Sequence, residues 1–312
     1  MDETDLKLLS LLRRHPRKSY KELADALKIS TPAVHKRVLR ARESGVLVGP
    51  YACISPSRLG AVPVMVIGRS DASGLKELAA SLGKSDRTNL VTVMGGNVVL
   101  VRGILADIEE LDGYSAFVGR AARMAEPEIF ISSPENEPAG KGGEEKLTKL
   151  DLRIIRALRE DGRKSVKDVA DEVGATPKTV RRRLARLKDT GLMALDLFAD
   201  QSSSGNFVPL LRIELNRGID KKEVGRGISE KFSPGITRMM YFGNRPNIII
   251  AIAWLHCMAD LHELVEGIGA ENGVKSVVPN ILIASMQFDS WLDKIVDDPS
   301  RAEELLRKKN LM

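Results

Sequence analysis

DLKLLSLLRRHPRKSYKELADALKI, residues 5–29, returns further along the chain as DLRIIRALREDGRKSVKDVADEVGA, residues 151–175. Asp5 over Asp151 sets an offset of 146 that holds without a gap through Gly45 and Gly191. Arg17/Arg163, Lys18/Lys164, Ser19/Ser165, Ala24/Ala170, Val34/Val180 and Arg37/Arg183 are identical at that offset. A repeat of this length is a duplicated domain and is read before any single element. Leu6, Leu8, Leu9 and Leu12, like Leu152, Ile154, Ile155 and Leu158, recur at helical spacing. Ser19-x-x-Glu22 forms a capping box for a short second helix, and Ser165-x-x-Asp168 is its shorter counterpart. A three- to four-residue turn follows, then a third helix with a hydroxyl cap and proline just inside, read as Thr31-Pro32 and Thr176-Pro177. The first Thr-Pro pair sits one position later than the second, so the two third helices are expected to start differently.

Two short helices across a tight turn make a helix-turn-helix, whose second helix docks in the major groove of DNA. On the third helix, Val34, Val38 and Ala41 share one face, as do Val180, Leu184 and Leu187. Thr31, His35, Lys36, Arg37 and Arg40 lie outside that face, as do Thr176, Lys178, Thr179, Arg181, Arg182, Arg183 and Arg186. From Thr176 to Gly191 six cations meet one anion, Asp189, whereas a merely solvated helix mixes signs for i,i+4 pairing. These residues are the candidate contacts to double-stranded DNA, Arg182 reading a base and Arg183, nearer the flank, meeting phosphate.

With the ESGVLVGPYACISPSRLG that follows the first copy, both units resemble the leucine-responsive regulator (Lrp/AsnC) family of transcription factors. The resemblance is carried by Asp5–Leu9, by Thr176–Leu184, by Glu43–Leu47, and by Gly49–Ala52 with Leu59-Gly60. The second copy departs from it after Gly191, where LMALDLFADQSSSGNF lacks the tyrosine pattern. The resemblance implies a small-molecule-sensing αβ domain after each DNA-binding unit, with sheets that pair between protomers. VPVMVIG, GLKELAASLG, NLVTVMGGNVVLVRGIL, DIEELDGYSAF and EIFIS read as that βαββαβ order, and the second half repeats it. The family often carries Gly-x-x-Asp in the central hairpin; here the hairpins offer Gly95, Gly96 and Asn97, and Gly243 and Asn244, with no aspartate. They are the candidate effector positions, weighed against glycines that simply turn a hairpin.

The predicted fold is therefore α+β, a tandem of two winged-helix/helix-turn-helix domains and two ferredoxin-like domains. The expected segments are 1–50 (first helix-turn-helix), 51–133 (first αβ domain) and 134–146 (a linker rich in Pro, Gly and Glu). They continue as 147–196 (second helix-turn-helix), 197–288 (second αβ domain) and 289–312 (a helical extension). Packing of one αβ domain on the other would mimic a dimer within one chain. Because the two recognition helices differ, the target is expected to be asymmetric rather than palindromic.

At 312 residues with net charge +6 and only 4% aromatic residues, the chain suits a polyanion partner but not a base-stacking single-strand platform. Two cysteines, Cys53 and Cys257, make no disulfide framework, and His256, Cys257 and His262 lack a fourth ligand, so neither a metal nor a cofactor is expected. The start has no signal-peptide pattern and the apolar run from Asn247 is too short to span a bilayer; a cytoplasmic, non-enzymatic regulator is expected. Two other readings stay open. Haem-pathway (sirohaem) decarboxylases share this two-part fold, with an arginine-rich strand after the third helix that VLVGPYACI does not match. An interaction scaffold that binds no DNA is the other.

Overall fold

The computed structural model describes residues 2–72, 74–137, 146–199 and 207–298. Most of the expected linker and the last fourteen residues of the extension lie outside them. The first unit opens with α1 (Glu3–Arg14), α2 (Tyr20–Leu27) and α3 (Thr31–Glu43), and its counterpart with α6 (Lys149–Ala157), α7 (Val166–Val173) and α8 (Pro177–Asp189). Capping boxes start the leading helices, Asp2 with Asp5 on α1 and Thr148 with Asp151 on α6. Each middle helix ends in a left-handed residue, Lys28 at φ 56° and Gly174 at φ 62°, which turns the chain into the third helix.

One expectation about these units is corrected. The two third helices begin at equivalent positions, because Ser30 and not Thr31 caps α3. Ser30 Oγ accepts from the Ala33 amide at 3.3 Å, as Thr176 Oγ1 accepts from the Thr179 amide at 3.2 Å. Ser30 is the residue that aligns with Thr176. The displaced threonine becomes the first helical residue, so the proline sits one step deeper without moving the helix start.

β1 (Leu47–Ile54) leaves the first unit and pairs antiparallel with β6 (Met193–Ala199), which leaves the second. This two-stranded ribbon is built from both halves of the chain, and β1 runs across residue 50, where a domain boundary was expected. The first αβ domain contributes β2 (Val62–Arg69), α4 (Leu75–Leu82), β3 (Thr88–Met94), β4 (Val98–Leu105), α5 (Leu111–Ala121) and β5 (Glu128–Ile131). The second contributes β7 (Pro209–Leu215), α9 (Lys221–Lys231), β8 (Ile236–Tyr241), β9 (Ile248–Ala253), α10 (Met258–Gly269) and β10 (Val274–Gln287), and α11 (Trp291–Asp297) follows.

The eight strands of the αβ domains run in the order β5-β2-β4-β3-β10-β7-β9-β8, so each half has the same internal order. β10 joins the halves. Its first part pairs with β7 and its last residues, from Leu282, pair with β3. At the far ends a bridge between Ser132 and Phe242 brings the terminal strands of the two halves together. Met65, Met94, Leu100 and Phe130 of one half meet Leu210, Phe242, Ile248 and Ile250 of the other in a shared buried cluster. The helices cover the outer faces, α4 and α5 through one cluster and α9 and α10 through another. The result is a four-layer arrangement in which one αβ domain packs on its copy, the dimer-like pairing expected within one chain.

The helix-turn-helix units also meet, by a nearly reciprocal contact. Arg17 Nη2 donates to the Lys164 carbonyl at 2.9 Å, and Arg163 Nη2 donates to the Lys18 carbonyl at 2.6 Å. Each arginine reaches the residue that follows its own equivalent in the other copy, the self-complementary pattern of a two-fold interface. Arg163 adds a bond to the Pro16 carbonyl at 3.0 Å and lies 4.7 Å over the Tyr20 ring.

Candidate nucleic-acid interface and the chamber beneath it

On α3 and α8 the apolar face is buried as its spacing requires: Val34 and Val38 in one copy, Val180 and Leu187 in the other. The cations that share these helices divide into two groups. Arg37 donates to Asp5 at 2.6 Å and to Asp2 at 2.7 Å, and Arg40 donates to Asp5 at 2.9 Å. In the second copy Arg186 donates to Asp151 at 2.6 Å and Arg183 lies 3.4 Å from the same carboxylate. Asp151 is fully buried and also accepts from the Thr148 amide and hydroxyl, so one carboxylate caps α6 and clamps α8. Burial of a carboxylate demands such partners. Arg37, Arg40, Arg183 and Arg186 therefore brace the third helix against the first, and Arg183, expected at a phosphate, is turned inward to Asp151.

The second group faces outward. Thr31, His35 and Lys36 on α3 and Lys178, Arg181 and Arg182 on α8 are exposed, with no ion pair among the described residues. Thr176 and Thr179 are occupied by the helix cap, their hydroxyls 3.0 Å apart. His35 sets its ring edge-on to Tyr20, with centroids 5.5 Å apart. Position by position at the repeat offset, His35 and Lys36 of the first copy face the role of Arg181 and Arg182 in the second. Exposed Leu39 stands where the second copy has Ala185.

The candidate effector positions are used for architecture. Gly96 and Asn97, with φ 67° and 58°, form the mirror-image turn that a two-residue hairpin needs. The Gly95 amide donates to the Ile281 carbonyl at 2.9 Å. Asn244 fastens the two halves: its Oδ1 accepts from the Ile131 amide at 2.8 Å and its Nδ2 donates to the Ile129 carbonyl at 2.9 Å. Gly243 adds an amide bond to the Ile131 carbonyl. None of the five lines the chamber described next. His256 and Cys257 donate their amides to Asp260, an N-terminal cap for α10.

That chamber lies between the β1/β6 ribbon, the end of α1 and the open end of the paired sheets. It has an inner part of about 110 Å³ and a wider outer part of about 850 Å³. Both are lined by Arg13 of α1, Tyr51 of β1, Arg102 of β4, Asp196 of β6 and Arg238 of β8. Arg13 reaches the Leu197 and Thr237 carbonyls only at 3.4 Å. Burial pushes its guanidinium down to about 10, with repulsion from Arg238 adding to the effect. Burial, then Arg238, also lowers Arg102. Burial pushes the Tyr51 hydroxyl and the Cys53 thiol well up. Three arginines from three distant segments converge here, and sequence reading missed them. The available signal was Arg102 alone inside the apolar run VVLVRGIL and Arg238 inside ITRMMY, each a charge where the strand pattern calls for burial.

The AsnC-type helix-turn-helix domain is matched twice, by residues 1–42 and 147–188, at the offset of the internal repeat. The HTH-type transcriptional regulator Ptr1 of Methanocaldococcus jannaschii is 34% identical over 118 residues, which are 37% of this chain and 80% of that protein. The regulator LysM of Sulfurisphaera tokodaii is 45% identical over 47 residues, 15% of this chain and 34% of its own. Among solved structures, the siroheme decarboxylase NirDL matches over 96% of this chain and 99% of its own, with a TM-score of 0.58 and 12% identity, a likeness of fold. The paired reading heads, their shared offset and the Ptr1 relationship place this chain in the Lrp/AsnC family of helix-turn-helix transcriptional regulators.

Proposed function

We propose that this chain is a sequence-specific regulator that reads double-stranded DNA with two unequal heads carried by one polypeptide. The observation that carries this reading is the division of labour on α3 and α8. Arg37, Arg183 and Arg186 are held part-buried by Asp5 and Asp151, and Arg40 pairs with Asp5 from an exposed position, while Lys36 and the Lys178, Arg181, Arg182 set face outward with no ion pair among the described residues. Arginine reads guanine through two parallel hydrogen bonds, whereas His35, Lys36 and Leu39 offer weaker polar and methyl-directed contacts. The second head thus contributes more charge, and the two half-sites differ in sequence.

Selection of bound genomic fragments followed by footprinting tests this. The expected result is two unlike half-sites on one face of the duplex; a perfect palindrome bound by a single chain would contradict it. Arg182→Ala should weaken binding at the second half-site by about 1–3 kcal/mol and relax its base preference. Lys36→Ala should act on the first half-site alone.

A second reading rests on the chain-length fold shared with the siroheme decarboxylase NirDL, together with the arginine-lined chamber. It predicts that purified protein mixed with sirohaem shifts the pigment's absorbance and yields a decarboxylated product. Under the regulator reading no such product forms.

A further inference from the structure

Arginines outnumber carboxylates on the wall of the inner chamber. Arg13, Arg102 and Arg238 converge on it, and none of the three forms an ion pair among the described residues. Arg102 and Arg238 also have no hydrogen-bond acceptor there. Asp196 is the one carboxylate lining the inner part, and its Oδ1 accepts from the Leu197 amide at 2.8 Å. In the inner part three guanidinium groups face one carboxylate; Glu137, Asp289 and Asp293 line only the outer part, where Ser57 holds the first and Arg159 the other two. Enclosed charges without partners are costly, and folds keep them where a ligand supplies the missing charge. Asn89 lines the same space with a buried side-chain oxygen that has no partner, and turning its amide over would present a donor instead.

The repeat shows what an arginine at this place accepts. Arg13 of α1 aligns with Arg159, which follows α6 at the repeat offset. Arg159 is already saturated: it donates to Asp289 at 2.7 Å and to Asp297, and it lies 3.8 Å from Asp293. These carboxylates come from α11 and the residue pair before it, a segment with no counterpart among the described residues of the first half. In one half of the molecule, then, the tail delivers carboxylates to the arginine. In the other half the equivalent arginine faces an open chamber.

The geometry points to a small organic dianion, a dicarboxylate with a short apolar spine, as the ligand of the inner chamber. Its two carboxylates would sit between Arg13, Arg102 and Arg238, against the apolar floor of Met65, Leu100, Leu210 and Ile252. A volume of about 110 Å³ holds roughly eight to ten water-sized sites, hence about eight to ten non-hydrogen atoms. Arg13 belongs to the first reading head, Arg102 and Arg238 to the two αβ domains. An anion that bridges them ties the position of that head to the paired sheets. This role as effector rests on the regulator reading above; the binding itself does not.

Calorimetric titration of the full-length protein with succinate, glutarate and 2-oxoglutarate, without DNA, tests the binding. Propionate, dimethyl glutarate, inorganic phosphate and uroporphyrin serve as comparison probes. At least one dicarboxylate should bind at a one-to-one ratio, at least about tenfold more tightly than propionate or the diester, since charge-assisted pairs dominate the site. Arg102→Gln and Arg238→Gln should each lower its affinity about tenfold or more. Without ligand, Arg102→Met should melt at or above the wild-type temperature, because it removes an enclosed charge that has no ion pair among the described residues. No heat with any dicarboxylate, unchanged affinity in the arginine variants, or binding only of phosphate or only of uroporphyrin would overturn the proposal. A separate gel-shift measurement with and without the dicarboxylate addresses regulation. A DNA affinity that changes when the dicarboxylate is added supports the effector role; absence of DNA binding both with and without it would sink the regulator reading and leave the ligand result standing.

Discussion

Asp151 holds more of the second reading head than any neighbour suggests. Its carboxylate is fully buried, closes the start of α6 through Thr148, and receives Arg183 and Arg186 from the recognition helix. Asp151→Ala leaves two half-buried guanidinium groups without their anion and removes a cap. A wholly enclosed pair would cost ~3–5 kcal/mol when broken, but both arginines retain some solvent, so about 2 kcal/mol is expected from urea unfolding. Asp5→Ala should cost less, because Asp2 still holds Arg37. The two cysteines form a second residue-scale contrast. Cys53 points its thiol toward the Ala194 carbonyl, and burial keeps it protonated, while Cys257 is exposed. A thiol reagent at neutral pH should label one site quickly, and Cys257→Ser should abolish that fast phase. If Cys53 reacts as fast, the ribbon does not enclose it.

Among elements, α11 has the clearest measurable role. Trp291, Leu292, Ile295 and Val296 are buried in the core of the second helix-turn-helix unit, and Trp291 Nε1 donates to the Ile104 carbonyl at 2.7 Å. Arg87 lies 5.7 Å over the indole ring. The extension expected at residues 289–312 thus docks, through its described part, between the second reading head and the first αβ domain. Trp291→Ala should destabilise the protein by about 3–5 kcal/mol, the range for emptying a large aromatic site, read as a lowered urea midpoint. The helices and strands themselves were legible in sequence, because caps, glycines and apolar spacing are local signals. Ser19 and Glu22, Ser165 and Asp168, and the Gly96-Asn97 turn all sit where their residue types require. At the start of α3 serine and threonine adjoin and either hydroxyl can cap, so local pattern does not separate Ser30 from Thr31. The choice fell to Ser30, which keeps α3 in step with α8 over the same buried valines.

At the scale of the whole molecule, duplication becomes a two-fold frame. Arg17 and Arg163 cross between the heads, β1 pairs with β6, and β10 joins one sheet to the next. Arg163→Ala removes two carbonyl bonds and the contact over Tyr20, while each head keeps its own core. That variant should bind a single half-site normally but lose about tenfold in affinity for the full site, since the second head then docks at a lower effective concentration. Band-shift titration on full and half sites reads this directly; equal loss on both would show that the heads themselves were damaged.

The sequence by itself determined the repeat, the helix-turn-helix pattern, the βαββαβ order and the basic third helices, because each is written in contiguous spacing and in matched offsets. Only the tertiary structure decided which cations are free. Arg182 and Arg183 are neighbours in the chain, yet the helix turns one outward and delivers the other to Asp151, a residue on a different helix. The chamber is the extreme case. Arg13, Arg102 and Arg238 are scattered across more than two hundred positions and belong to no motif, and only the packing of α1, β4 and β8 around the pseudo-two-fold frame brings their charges together. A lone arginine in each of two apolar strands was the only linear trace; that the two meet, with Arg13 beside them, depends on contacts through space that spacing along the chain does not record.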